Sequence, residues 1–306
     1  MTRTFIAFAF AIAIGCSEKQ PAITAEAHLQ DVEQWHSKRV ENLKGPQGWL
    51  NVSGLFWLKE GMNTFGSAEN NDVVFPAEKI GEHLGYFMLK NDTVTLEVGT
   101  VSEIKSNNEL VTRLVAYPRD SAGVVPKMEH GSLQWFIIER DGQYGVRLRD
   151  FETDAIANFH GIERYPVDLK WRIEAKFEKA EEGRTIDITN VLGQTTPNPS
   201  PGTLAFTIDD EEYRLDVIKE SGPDFFVIFG DPTNEKETYP SGRYIYVAPP
   251  GEDGRTIIDF NKCYNPPCAF TAFATCPLPP RQNVLPVSVL AGEKNYVGEG
   301  HNQGGI

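Results

Sequence analysis

The stretch Val167–Phe177, VDLKWRIEAKF, decides the fold class. Val167, Leu169, Trp171, Ile173, Ala175 and Phe177 alternate with Asp168, Lys170, Arg172, Glu174 and Lys176. A period of two places one set on a buried sheet face and the other in water. Short runs of the same character lie on both sides. Trp49–Leu58 is an aromatic pair of strands broken at Ser53-Gly54, and Met62–Phe65 and Asp72–Phe75 follow. Tyr86–Leu89 and Thr93–Val98 flank Asn91-Asp92, and Trp135–Glu139 and Gly145–Arg149 flank Asp141-Gly142. Both are hairpin signals, because Asn, Asp and Gly accept the positive φ of tight turns. Leu110–Ala116, Ile186–Val191, Leu204–Ile208, Tyr213–Val217, Phe225–Phe229, Arg243–Val247, Ile257–Phe260 and Leu285–Ala291 complete the strands. Pro197, Pro199 and Pro201 read as a stiff surface loop. With no alternating βαβ rhythm, the chain is expected to be all-β, with antiparallel sheets of sandwich or barrel type.

One helix precedes the sheets. Thr24 is a fitting N-cap, Ala25–Leu43 carries apolar residues at helical spacing, and Gly45-Pro46 stops it. Leu29, Val32, Trp35 or His36, Val40 and Leu43 define the expected buried face. His28 is read as solvated and His36 as lying at the edge of that face.

Before the helix, MTRTFIAFAFAIAIGC carries Arg3 and ten apolar residues, Phe5–Ile14. That length suits a secretory signal and is too short to span a bilayer. Ala13-Ile14-Gly15-Cys16 resembles a bacterial lipobox, although Ala13 stands where Leu is commoner. Lipidation at Cys16 would anchor the chain to a bacterial membrane, on the periplasmic side of the outer membrane, since Ser17 follows the cysteine. The expected layout is therefore a signal peptide at 1–15, a tether at 16–23 and a helix at 24–45. A sandwich-like subdomain at 46–125, a second β domain at 126–297 and a disordered tail at 298–306 follow. The polar segment from Ser121 to His130 is the candidate join.

The net charge of −14 in 306 residues argues against a nucleic-acid partner, which needs a basic face. Gly-x-Ser-x-Gly, His-Glu-x-x-His and phosphate-cradling glycine motifs are absent, so no cofactor is implied. The histidines are scattered, which gives no metal ligand set.

The chemically unusual part is Thr256–Lys294, where amides, carboxylates and tyrosines alternate with prolines. Rigid loops framed by strands are where sites tend to sit. The candidate ligand-binding set is Asp231, Glu237, Tyr239, Arg243, Asp259, Asn261, Tyr264, Asn265 and Glu293, with Arg147 approaching from the earlier hairpin. In a functional reading Arg243 or Arg147 fixes an anionic group and a carboxylate serves as acid or base. In a structural reading Arg243 pairs with Asp231 or Asp259 in a buried network, and Asn261 and Asn265 cap backbone groups. Two function classes stay open: an envelope-anchored protein binding a small polar or anionic ligand near Arg243 and Asp259, and a carboxylate-dependent hydrolase using the same cleft.

Two resemblances add to this. Gly61, Gly66 and Asn71-Asp72-Val73-Val74 resemble the opening strands of forkhead-associated domains. Ser67, however, stands where that family has its phosphate-reading arginine, so the resemblance implies sandwich geometry and no phosphothreonine binding. More extensively, Trp35–Lys294 resembles the DUF1684 family of bacteria and archaea, which brings no assigned reaction. The residues that carry this are Glu237-Thr238-Tyr239, Gly242-Arg243, Asp259-Phe260-Asn261, Tyr264–Phe270, Cys276–Pro280, Asn283 and Ala291-Gly292-Glu293. Cys263 departs from the family pattern, which usually has alanine there. The resemblance thus implies a Cys268–Cys276 disulfide with Cys263 left free.

Overall fold

The computed structural model describes residues 23–99, 103–118 and 125–298. The signal segment, Cys16, most of the tether and nearly all of the 298–306 tail lie outside the described residues. The fold is mostly β, with 42% strand and 13% helix.

The helix Ala25–Lys44 begins as the sequence requires, with Thr24 Oγ1 accepting from Ala27 N at 3.2 Å. Its buried face is rotated from the expected one. His28, Val32 and Leu43 are buried, whereas Leu29 is 44% exposed. His28 is not solvated: it is fully buried, with Nε2 2.8 Å from Asp259 Oδ2. A polar side chain takes a core position here because a carboxylate waits across the interface. No helix among the described residues is long and apolar enough to cross a membrane.

Two β units follow. In the first, a five-stranded sheet faces a six-stranded one. The five-stranded sheet runs Val73–Val74, Gly61–Gly66, Gly85–Lys90, Thr93–Val98, Arg113–Tyr117. The other runs Val52–Trp57, Gln143–Asp150, Leu133–Arg140, Met128–His130, Lys105–Ser106, Glu109–Leu110. Phe65, Phe75, Phe87 and Trp135 fill the space between them. The Phe75 and Trp135 rings meet edge to face, with centroids 5.1 Å apart. The hairpin turns are as expected, with Asn91, Asp92, Asp141 and Gly142 all at positive φ. The expected boundary near residue 125 is not where the units part. Gln143–Asp150 pairs with Val52–Trp57, so the first unit extends to Asp150. The candidate join from Ser121 begins outside the described residues, and its end, Met128–His130, is a strand of that sheet.

The second unit is a six-stranded, curled antiparallel sheet. Its order is Arg243–Val247, Phe225–Phe229, Glu211–Lys219, Gly202–Ile208, Arg172–Lys179, Arg255–Asp259. Phe206, Phe229, Phe260, Leu285, Val289 and Ala291 lie in its core.

Three local expectations change here. The first half of Val167–Phe177 is not strand: Leu169–Trp171 is a 3-10 turn, capped where Asp168 accepts from Lys170 N at 2.9 Å. Short Asp side chains compete in this way with sheet pairing. Pro197 and Pro199 lie in a strand, Thr195–Pro199, paired with Thr185–Thr189 in a separate two-stranded sheet. Prolines are tolerated there because the strand is an edge. Leu285–Ala291 is not strand but irregular chain whose Leu285, Val289 and Ala291 pack into the core of the curled sheet.

Candidate functional site

The signature residues form a buried network. Arg243 and Asp231 are fully buried and pair at 2.7 Å. Arg243 also donates to Ala291 O at 2.5 Å and Val289 O at 2.9 Å, with its guanidinium 5.3 Å from the Phe229 ring centroid. The other Asp231 oxygen accepts from Thr233 N at 2.9 Å and Val289 N at 3.3 Å. Asn261 caps Asp168 reciprocally, accepting from its N and donating to its O, both at 3.0 Å. It also donates to Asp259 Oδ1 at 2.9 Å. Gly292, at φ +74°, lies so close to Cys263 that a Cβ would collide with the cysteine's Sγ and carbonyl oxygen. Cys263 is a free, buried thiol that burial pushes up to about 12. Cys268 and Cys276 are joined by a disulfide across a Cα separation of 6.1 Å.

This network is no ligand pocket. Arg243, Asp231, Asp259 and Asn261 are spent on protein partners. Glu237 and Tyr239 stand apart, on the loop after Asp231. Glu237 pairs loosely with Lys294 at 4.0 Å, and burial raises the Tyr239 phenol. The large open space is a cleft of about 1430 Å³. Of the ten candidate residues, Arg147, Tyr264 and Asn265 line it.

The cleft lies where three parts meet: the C-terminal half of the helix with the 45–49 segment, the Arg140 and Arg147 hairpin, and the aromatic face of the second sheet. The disulfide-closed loop contributes to its wall through Ala274, Thr275 and Cys276. Phe273 O accepts from Arg147 Nη2 at 3.2 Å, and Pro277 O accepts from the Tyr244 hydroxyl at 2.7 Å. Thr271 Oγ1 donates to Val52 O at 2.9 Å. The loop therefore ties the first unit to the second beside the cleft.

Charge in the cleft is uneven. Lys262 is paired with Asp31 and Lys38 with Glu41. Arg39 is paired with the buried Glu293, whose other oxygen accepts from Asn265 N at 2.7 Å. Arg147 differs. It is 4% exposed, has no carboxylate partner among the described residues, and its Nε is without a hydrogen-bond partner. Burial, then Arg140, then Arg149 push its guanidinium down to about 10. Arg149 beside it also has an unpartnered Nε, but it donates through Nη1 to Gly48 O and the Asn51 side-chain oxygen and does not line the cleft. A buried cation in the company of other cations, opening on a cleft, is arranged for an anion.

Several lining residues escape a reading of the sequence: Trp35, Arg39, Trp49, Arg140 and Tyr246. Arg39 falls at helical spacing from Val32, Trp35 and His36, which is the signal that could have placed it inward. Among the described residues no three His, Cys, Asp or Glu side chains gather as metal ligands.

Residues 157–294 match the family described as protein of unknown function (DUF1684). An uncharacterized protein of Haloarcula marismortui, solved by solution NMR, is 30% identical. The match covers 45% of this chain and 78% of that one, with a TM-score of 0.38. An FHA domain studied for its phosphothreonine-dependent interactions is 14% identical over 31% of this chain and 92% of its own, with a TM-score of 0.21. No curated protein matches. The residues that tie the helix to the second sheet and close the loop beside the cleft, Asp259, Asn265, Cys268, Cys276 and Glu293, all lie within the matched span, and the chain belongs to the DUF1684 family.

Proposed function

We propose that this protein binds a small anionic ligand in the cleft, with Arg147 as its anchor, while a lipid on Cys16 holds it to a bacterial envelope membrane. One observation carries the binding reading: a buried guanidinium with an unpaired Nε and no carboxylate partner, in a chain of net charge −14. Desolvating such a charge costs free energy that a bound carboxylate or phosphate would offset through bidentate contacts. The hydrolase reading lacks comparable support. Asp231, Asp259, Glu237 and Glu293 do not line the cleft. Of the acids that do, Asp31 and Glu41 are paired with lysines, and Glu220 accepts from the Tyr246 hydroxyl at 3.0 Å.

Calorimetric titration with acetate and with inorganic phosphate tests the binding reading. Arg147→Gln should weaken binding by about tenfold or more, the scale of one charge-assisted contact. Equal affinity in the variant refutes it. The anchor reading is tested separately, by fractionating cells that express Cys16→Ala. That variant should leave the membrane fraction, and its retention there contradicts the anchor.

A further inference from the structure

Seven of the residues that line the cleft with Arg147 are aromatic. Its guanidinium stands 5.5 Å from the Trp49 ring centroid, so an anionic group held there lies beside an indole. Across the cleft, Phe226 and Tyr246 are cross-strand partners with centroids 5.1 Å apart. Tyr246 and Tyr264 are nearly parallel, at 18° and 6.3 Å. Arg39 lies over Tyr264, 4.4 Å from its centroid, and fixes that ring. Tyr264 and Phe226 are largely buried and serve the core. Tyr246 is 51% exposed, and its exposed surface faces the cleft.

We propose that the ligand is an anion carrying a planar ring, with its carboxylate or phosphate on Arg147 and its ring against the wall headed by Tyr246. The inference rests on the anion reading above and narrows it. Four features favour it over a bare inorganic ion. The volume, about 1430 Å³, is far more than such an ion fills. The half-exposed tyrosine belongs to an already continuous ring cluster. The Tyr246 hydroxyl is committed to Glu220, which steadies the ring. Finally, a ring adjoins the anion position itself. Planar ligands stack on such platforms whatever their polar decoration.

The test compares matched pairs by calorimetry on the purified full chain: benzoate against acetate, and adenosine 5′-monophosphate against inorganic phosphate. Glucuronate, an acid on a non-planar ring, is the third arm. Benzoate and adenosine 5′-monophosphate should each bind about tenfold or more tighter than their ringless counterparts, as one stacked ring implies. Glucuronate should follow acetate. Tyr246→Ala should bring the benzoate-to-acetate ratio close to one. Tyr246→Leu, which keeps apolar bulk on the strand, should do the same and guards against a folding defect. If ringless and ringed anions bind equally, or both Tyr246 variants keep the preference, the ring inference is overturned and the anion reading stands. If glucuronate outranks benzoate, planarity is refuted. If Arg147→Gln leaves every affinity unchanged, or no anion binds, both readings fall together.

Discussion

Arg39, on the N-terminal helix, donates through Nε to Glu293 Oε1 at 2.5 Å, across 254 positions of sequence. Glu293 is 1% exposed. The same guanidinium donates to Asn265 O at 2.9 Å and lies over Tyr264. The helix is thus fastened to the second unit in its C-terminal half, and near its start by His28 and Asp259. Removing Arg39 leaves a buried carboxylate without its cation, which costs about 3–5 kcal/mol. Arg39→Ala should lower the urea midpoint accordingly and expose the helix to limited proteolysis. An unchanged midpoint contradicts the assignment.

The two buried arginines should answer mutation in opposite ways. Arg243→Met leaves Asp231 unpaired in the core and should cost about 3–5 kcal/mol. Arg147→Met removes a desolvated charge that no carboxylate balances, so stability should be unchanged or rise by about 1 kcal/mol, as is usual where function opposes stability. Parallel urea melts compare them. A loss at Arg147 as large as at Arg243 marks Arg147 as structural.

Acid should weaken the fold through two aspartates. Burial pushes the Asp150 carboxyl up, but Lys79, the Glu152 N–H and Ser132 outweigh it and hold it below the free value of 3.8. For Asp216 the burial effect is likewise outweighed, by Thr203, Arg184 and Gln282. A depressed carboxylate contributes stability above its unfolded pKa, and that stability is lost as pH falls through the folded one. From these groups, the urea midpoint should hold above about pH 5 and fall below about pH 4. Asp150→Asn and Asp216→Asn should each shrink that fall. A fall of unaltered size in both variants rules these groups out.

Cysteine chemistry should divide two ways in protein from an oxidising compartment. Peptide mapping under non-reducing conditions should return Cys268 and Cys276 as one linked species. Cys263, with its thiol pushed up to about 12, should resist iodoacetamide at neutral pH until the chain is unfolded. Reducing the disulfide should cost roughly 2–3 kcal/mol, the closure entropy of a loop this short. Rapid native alkylation of Cys263 contradicts its burial.

What the sequence reveals is what is local. Asn91-Asp92 and Asp141-Gly142 mark their hairpins because the turn residues themselves supply the positive φ. Thr24 and Gly45 bound the helix through contacts that are just as local: Thr24 Oγ1 accepts from Ala27 N, and Gly45 N donates to the Glu41 and Asn42 carbonyls. The alternation in Val167–Phe177 misleads at its start because Asp168 can cap backbone groups in a turn, which periodicity does not record. Pro197 and Pro199 read as a loop because their edge position depends on partners elsewhere. The site follows the same division. Unusual residues drew attention to Arg243 and Asp259, but whether such groups are open or already paired depends on Val289, Ala291 and His28, which are remote in sequence. Arg147 is among the candidates that the sequence offers. Its lack of a counter-charge becomes visible only once the chain is folded.

The most direct test of the anion cleft watches Arg147 itself. In a sample with isotope-labelled arginine side chains, the Nε–H resonance of Arg147 can be assigned through its loss in Arg147→Lys. That N–H has no partner among the described residues. On titration with benzoate it should shift downfield and saturate, while the Nε–H of Arg243, which is fully buried and does not line the cleft, stays still. If Arg147 does not move when benzoate is added, or if it moves only together with every exposed arginine, the cleft is not an anion site.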